Sequence, residues 1–361
     1  MNFTLDESQA AVRELAAQIL TDKATPERHR ALEDAGESFD RALWSEFATA
    51  GLLGIGLPEE HGGGGLGFVE VGLLLTEAGR HAAKLPLLTT LTTAAALAEF
   101  GPAELAKQWL PQVCAGEAVL SAALATFPDP PLTISASGGI DGVVSFVPSG
   151  LDAAAVLVVA EQPGGGSRAF LIDPRGPGVS SEAQVTGAGS IEARLTLSGV
   201  TPVGQLDGEG AAVREWLRQH VVAGHCASAA GITAAALDLT TAFAREREQF
   251  GKPIAAFQAV AQRAADAFID VKAIRLTALQ ACWRVASGLP ASEQVAVAKF
   301  WAADGGKRVM HAAQHIHGGI GVDKDYPLHR FFLAFTQTEL SLGGATEQLL
   351  RIGEELAQVP A

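Results

Sequence analysis

Tyrosine occurs once in this 361-residue chain, cysteine three times and methionine twice, with aromatics at 6%. The cysteines, Cys114, Cys226 and Cys282, lie far apart in sequence and form no CxxC, and their odd number suits a reducing compartment. Positive charge is scarce: Lys and Arg number 26 against 40 for Asp and Glu, a formal net charge of -14. Without a basic block the chain is a poor nucleic-acid binder, since that binding rests on neutralising phosphates. A phosphorylated cofactor is not excluded, because a few local Arg side chains and backbone N–H groups suffice for one. The sequence has no uncharged apolar run of roughly 18 residues, so no membrane span is expected. The opening MNFTLDESQAAVREL has early acids and no basic start before an apolar stretch, unlike a signal peptide. A soluble, cytoplasmic protein is expected.

What is abundant is apolar: 48% of residues, with 18% charged, which excludes disorder. Forty glycines without a Gly-X-Y period exclude collagen. A chain this long buries about three-quarters of its unfolded surface without needing a disulfide or metal. At roughly 150 residues per domain, two or three domains are expected, or one large one.

The composition changes twice along the chain. Residues 1–116 read as helices, with Val12, Leu15, Ala16 and Ile19 at helical spacing and a second apolar face from Leu43, Trp44 and Phe47 that stops at Gly51. Residues 117–208 hold short apolar and β-branched runs: VLSAALA, GVVSFV, AAVLVVAE, RAFLID and ARLTLSG. Turns such as GGIDG (138–142) and QPGGGS (162–167) separate them, and they read as antiparallel strands. Residues 209–361 return to long, Ala-rich helices at 212–246, 255–287 and 291–316. Strands with no helices between them cannot build parallel βαβ units. The fold class is α+β, mainly α: an N-terminal helical domain, a middle antiparallel β domain and a C-terminal helical bundle.

Several motifs have ordinary explanations. Residues 62–67 match G-x-G-x-x-G, but no strand precedes them, so a tight glycine loop fits better than a nucleotide loop. His311 and His315 lie one turn apart, yet Ala312 stands where a zinc protease needs Glu, and no metal site is expected. Cys226 beside His225 reads as a buried thiol. Neither G-x-S-x-G nor a P-loop is present. Two segments carry more. In Arg245–Ile254, an Ala-rich helix ends in alternating charges and turns at Phe250-Gly251; Arg247 can clamp a phosphate there and Gln249 can offer an amide. In His315–Val322, paired glycines Gly318 and Gly319 let a flat ligand or another backbone approach, and Tyr326-Pro327 follows.

REQFGKPI with Phe257-Gln258, HGGIGV with Tyr326-Pro327, PEEHGG and GGATEQ together resemble the acyl-CoA dehydrogenase family over the whole chain. The resemblance implies that family's fold, with a four-helix bundle at the C-terminus. Its members take the α-proton of an acyl-CoA with a glutamate and pass the β-hydride to flavin N5 of FAD. They assemble as tetramers in which one subunit's flavin reaches its neighbour with the pyrophosphate and adenosine. By position, Arg247, Gln249, Phe250, His315, Gly318 and Gly319 would form that trans half-site; His315 stands where the family usually has Gln.

The departures from the family bear on catalysis. At its glutamate position this chain has Gly343 or Leu342, and at the alternative position on the first long C-terminal helix it has Arg218; none of these is a general base. Glu215 and Glu339 are the candidate displaced bases. The Thr-Glu-Pro-x-x-Gly-Ser-Asp stretch that covers the flavin is replaced by Ala125–Pro131, and the Trp-Ile-Thr-Asn stretch by Val144–Ser149. A lost base and lost flavin cover beside kept FAD-arm motifs resemble the β-type subunit of actinobacterial α2β2 steroid side-chain acyl-CoA dehydrogenases. The resemblance implies a subunit inactive alone, sharing FAD with a catalytic partner, with a steroid-CoA as substrate. The alternatives are a self-sufficient homotetramer with a displaced base, or a purely structural subunit.

Overall fold

The computed structural model describes residues 3–125 and 129–357. Six helices come first: α1 (Glu7–Lys23), α2 (Pro26–Ala35), α3 (Arg41–Thr49), α4 (Phe68–Arg80), α5 (Leu87–Phe100) and α6 (Ala103–Cys114). Local chemistry sets their ends. Asp6 caps α1 by accepting from Gln9 N–H at 2.9 Å, while the Gln9 side chain accepts from Asp6 N–H at 3.2 Å, a reciprocal capping box. Asp40 caps α3, and Gly51 takes the left-handed φ of 73° just beyond that helix.

Eight strands follow: β1 (Leu120–Ala122), β2 (Leu132–Ile134), β3 (Ile140–Pro148), β4 (Ala155–Glu161), β5 (Ser167–Ile172), β6 (Val179–Val185), β7 (Ile191–Val200) and β8 (Gly204–Gln205). They form one sheet in the order β6-β7-β3-β2-β4-β5-β8, with β1 also on β4. Most pairs are antiparallel, as the sequence leads one to expect, but β1 and β2 both run parallel to β4. A helix is not needed for this: after β2 the chain runs out along β3 and returns through Ser149–Ala154, so a strand does the work of the crossover. Ile140 and Gly142 sit inside β3 rather than in a turn; the reversal is one step earlier, where Gly138 N–H donates to Ser135 O. β4 is buried from Ala155 to Ala160, on both faces, which is why its sequence does not alternate.

The C-terminal part holds α7 (Gly210–Glu246), a hairpin of β9 (Glu248–Gln249) and β10 (Lys252–Pro253), α8 (Gln258–Ala286), α9 (Ser292–Phe300), α10 (Gly306–His317), α11 (Leu328–Leu340) and α12 (Ala345–Ala357). α9 and α10 are one rod, joined by the π-helical turn Trp301–Gly305. α7 is long and apolar enough to span a membrane, but most of its apolar stretch is buried in the protein, as in a core helix.

The chain divides into two compact units. One comprises residues 1–30, 72–83 and 222–361; the other comprises 31–71 and 84–221. In the first, Ile232 and Ala236 of α7, Met310 and Ala313 of α10, and Leu328 and Phe335 of α11 share one core. Leu237, Ala267, Val271, Val309 and Ala312 bring α8 into the same bundle. α4 crosses α7 so closely that a Cβ on Gly231 would run into the Thr76 carbonyl. In the second unit, Leu132, Val156, Val158, Phe170, Leu195 and Leu197 centre the sheet's core. α5 lies against β1, where Thr90 Oγ1 donates to Leu120 O at 3.1 Å.

Candidate functional site

Arg247 follows α7 directly, its N–H donating to Phe243 O at 2.9 Å, so the helix hands the chain to the hairpin at that residue. Its guanidinium is exposed and has no ion pair or hydrogen bond among the described residues. β9 and β10 pair Gln249 with Lys252 across Phe250-Gly251. Both turn residues have positive φ, 54° at Phe250 and 77° at Gly251, as a two-residue turn of the primed type demands. A bulky residue rarely adopts this φ. Here it holds a phenyl ring 92% exposed at the hairpin tip, edge-on to Phe257 at 6.1 Å. Lys252 sits over the other ring, 4.5 Å from the Phe257 centroid.

The second arm is the end of α10. His315 is exposed, and α10 stops at Gly318, whose φ of 62° and ψ of -137° suit only glycine. Gly318 N–H donates to Gln314 O, and Gln314 Nε2 returns to Gly318 O at 3.2 Å. A Cβ on Gly318 or Gly319 would meet nothing within 4 Å, so this backbone is open to a ligand. Between the arms lies a groove of about 300 Å³ lined by Gln249, Phe250, Ile254, Phe257, Arg263 and His315, among others. The fold thus gathers Gln249, Phe250 and His315 into one groove, while Arg247, Gly318 and Gly319 sit at the ends of the two elements that frame it. Arg263, on the first turns of α8, is a lining cation that sequence reading missed; it also lines a neighbouring cleft of about 530 Å³ with Asp266, Asp270, Arg308 and His311. Its spacing of four and three residues from Ala259 and Val260, which line the same groove, is the only signal that could have found it.

The positions at which the family resemblance implies a base, Leu342 and Gly343, look different. Leu342 and Gly343 both have positive φ, 57° and 98°. Glu347 reaches back to accept from Gly344 N–H at 2.8 Å, and Gln348 Nε2 donates to Gly343 O at 3.3 Å. A Cβ on Gly343 would collide with Glu347 Oε2. The loop is closed on itself by the first turn of α12. Glu339 is one-fifth exposed, with Lys307 Nζ 3.8 Å from its carboxylate. Beneath it Lys299, fully buried, donates to the carbonyls of Thr338 and of Glu339, the latter at 3.1 Å. Burial pulls the Lys299 ammonium down to about 8.

In the other unit, Arg218 clasps Glu215 with two hydrogen bonds of 2.7 and 2.6 Å, and Gln219 Nε2 adds a third at 2.9 Å. Both carboxylate oxygens are therefore committed. Val144–Ser149 has irregular backbone, with Phe146 at φ 55° and Ser149 at 51°. Phe146 N–H donates to Gln184 Oε1 at 2.7 Å, and Pro148 has no N–H and no hydroxyl to offer. In the other departure from the family pattern, Thr126, Phe127 and Pro128 lie outside the described residues.

The glycine loop and the Cys226 segment have plain packing surroundings. No strand leads into residues 62–67, and a Cβ on Gly63 would strike Leu57 O, so close loop packing accounts for that glycine. Among the described residues no cluster of three potential metal ligands occurs, and the Cys226 thiol is buried and pushed up to about 12.

Comparison with known proteins places these features in a family. The model of the acyl-CoA dehydrogenase N-terminal domain matches residues 6–117, and that of the C-terminal domain matches residues 208–357. The acyl-CoA dehydrogenase FadE27 of Mycobacterium tuberculosis is 40% identical over 375 aligned positions, covering 100% of both chains. A chain of the ChsE4–ChsE5 complex of Mycobacterium tuberculosis superposes with a TM-score of 0.95 at 40% identity, over 100% of each chain. A chain of the Tcur3481–Tcur3483 steroid acyl-CoA dehydrogenase gives 0.92 at 41% identity, over 98% of this chain and 99% of that one. This chain belongs to the acyl-CoA dehydrogenase family.

Proposed function

We propose that this chain is the non-catalytic subunit of a two-component, FAD-dependent acyl-CoA dehydrogenase in the cytoplasm. It lends the nucleotide half of the FAD site to a partner that supplies the base and the flavin face. The observation that carries the reading is a contrast within one helical bundle: the Arg247 guanidinium is exposed and unpaired among the described residues and the space beside Gly318 and Gly319 is open, while residue 343 is a left-handed glycine closed off by Glu347.

The donor set suits the ADP part of FAD. Arg247 offers an unpaired guanidinium to a diphosphate, Gln249 an amide, and Gly318 and Gly319 a bare backbone that any side chain would obstruct. The flavin ring finds less: at Pro148 this chain has no donor for the ring's nitrogen and carbonyl atoms. When bound, FAD supplies a hydride acceptor; this chain's residues hold its ADP end and bring no proton acceptor to the α-carbon. Glu215, clasped by Arg218 and Gln219, and Glu339, backed by Lys307, are poor substitutes, which speaks against a self-sufficient enzyme. The ChsE4–ChsE5 and Tcur3481–Tcur3483 structures are each complexes of two named proteins, and the second is titled a steroid acyl-CoA dehydrogenase. By that similarity the partner is a second acyl-CoA dehydrogenase chain and the substrate a steroid-type CoA thioester.

Native mass spectrometry of the assembly tests the reading. Two chain types with fewer flavins than chains are expected; one chain type carrying one flavin each would overturn it.

A further inference from the structure

The geometry points to a positioning pair, His317 and Tyr326, that holds the two arms of the proposed half-site in one register. The inference rests on the half-site reading above. His317 is the last residue of α10, buried, and directly precedes Gly318. Its Nδ1 lies 2.8 Å from Ala313 O, which makes that nitrogen the N–H donor. Nε2 is then left to accept the Tyr326 hydroxyl at 3.0 Å. The imidazole stacks on Phe243 with centroids 4.4 Å apart and planes 21° apart, and Tyr326 meets the same ring edge-on at 6.3 Å.

Phe243 closes the circuit, because its carbonyl takes the Arg247 N–H at 2.9 Å. The ring on which His317 rests thus belongs to the residue whose backbone fixes the start of the Arg247 arm. The residue after His317 is the glycine that starts the other arm. Neither His317 nor Tyr326 lines the groove, so their role is to position, not to touch the nucleotide. Burial lowers the proton affinity of His317 and raises that of Tyr326, aided by Glu246, so both stay neutral and the hydroxyl remains the donor.

The test uses the assembly purified from its host, stripped of flavin and titrated with FAD, with flavin fluorescence as readout and thermal stability measured alongside. Tyr326→Phe keeps the ring and deletes one neutral hydrogen bond, so FAD binding should weaken by about three- to tenfold. In an Arg247→Ala background the same change should cost less than about twofold, because the arm it positions is gone. Should Tyr326→Phe fail to assemble, His317→Gln, which loses the stacked ring, is read through the same cycle. Equal losses in both backgrounds, or a loss of stability with FAD affinity intact, would overturn the positioning role. If Arg247→Ala itself leaves FAD affinity unchanged, the half-site reading fails with it; if Arg247→Ala weakens binding and Tyr326→Phe does not, only the pair is refuted.

Discussion

On the proposed division of labour, placing a glutamate at position 343 by Gly343→Glu should not create turnover in the isolated chain, and the structure gives the size of the penalty. Gly343 has φ 98°, and a side chain held in such a region costs about 1–3 kcal/mol. The new Cβ collides with Glu347 Oε2 and lies 2.9 Å from Gln348 Nε2, so Glu347 must give up its 2.8 Å hydrogen bond to Gly344 N–H. That bond serves the N-terminus of α12, and losing a cap of this kind costs about 0.5–2 kcal/mol. Together the loss should be roughly 1.5–5 kcal/mol, with a second carboxylate now crowding Glu347. Gly343→Ala is the control, carrying the strain without the acid. Denaturant unfolding measures the first quantity, and acyl-CoA-dependent reduction of an artificial electron acceptor by the isolated chain measures the second. Both variants should be destabilised, and neither should turn over. A positioned base is worth about 10²–10⁴-fold. A stable Gly343→Glu protein at least about 10²-fold more active than Gly343→Ala would refute the reasoning.

Two further outcomes follow from buried and strained groups. Lys299 titrates near 8 in the folded chain against 10.5 when exposed, so between those values the unfolded chain binds more protons and folding stability rises with pH. Relative to Lys299→Met, the wild type should gain about 1 kcal/mol from pH 8 to pH 9; parallel pH curves would contradict this. Comparing the two proteins cancels the buried thiols of Cys226 and Cys282, whose raised values act in the opposite direction at higher pH. Phe250→Gly removes a ring held at φ 54° and 92% exposed, so the isolated chain should be unchanged or stabilised by up to about 1 kcal/mol while its partner and FAD are retained less well. A lowered melting temperature would show instead that the ring serves this chain's own fold.

Much of the fold was legible because periodicity and caps agree with packing. Gly51 marks a helix end that the structure keeps, and the apolar spacing of Leu43, Trp44 and Phe47 gives the buried face of that helix. β6 was not legible: its sequence, VSSEAQV, is polar at an exposed sheet edge, so no burial pattern marks it. The parallel pairings of β1 and β2 with β4 depend on where β3 returns, which local spacing does not encode. In the candidate site, Gln249, Phe250 and His315 were named from motifs and share a groove, but Phe250 at positive φ in a hairpin and Arg263 on the next helix appear only in three dimensions. The sequence places Gly343 or Leu342 where the family resemblance implies a glutamate, and both residues take a positive φ. The closure of that loop by Glu347 and Gln348, and the buried Lys299 beneath the end of α11, arise from side chains that meet across helices.

Counting chains and flavins in one native mass spectrum of the assembly drawn from its own host tests the division of labour most directly. Two chain types, fewer FAD than chains, and a partner sequence with a glutamate at the family's base position are the expected result. A homo-oligomer with one FAD per chain and acyl-CoA dehydrogenase activity would contradict it.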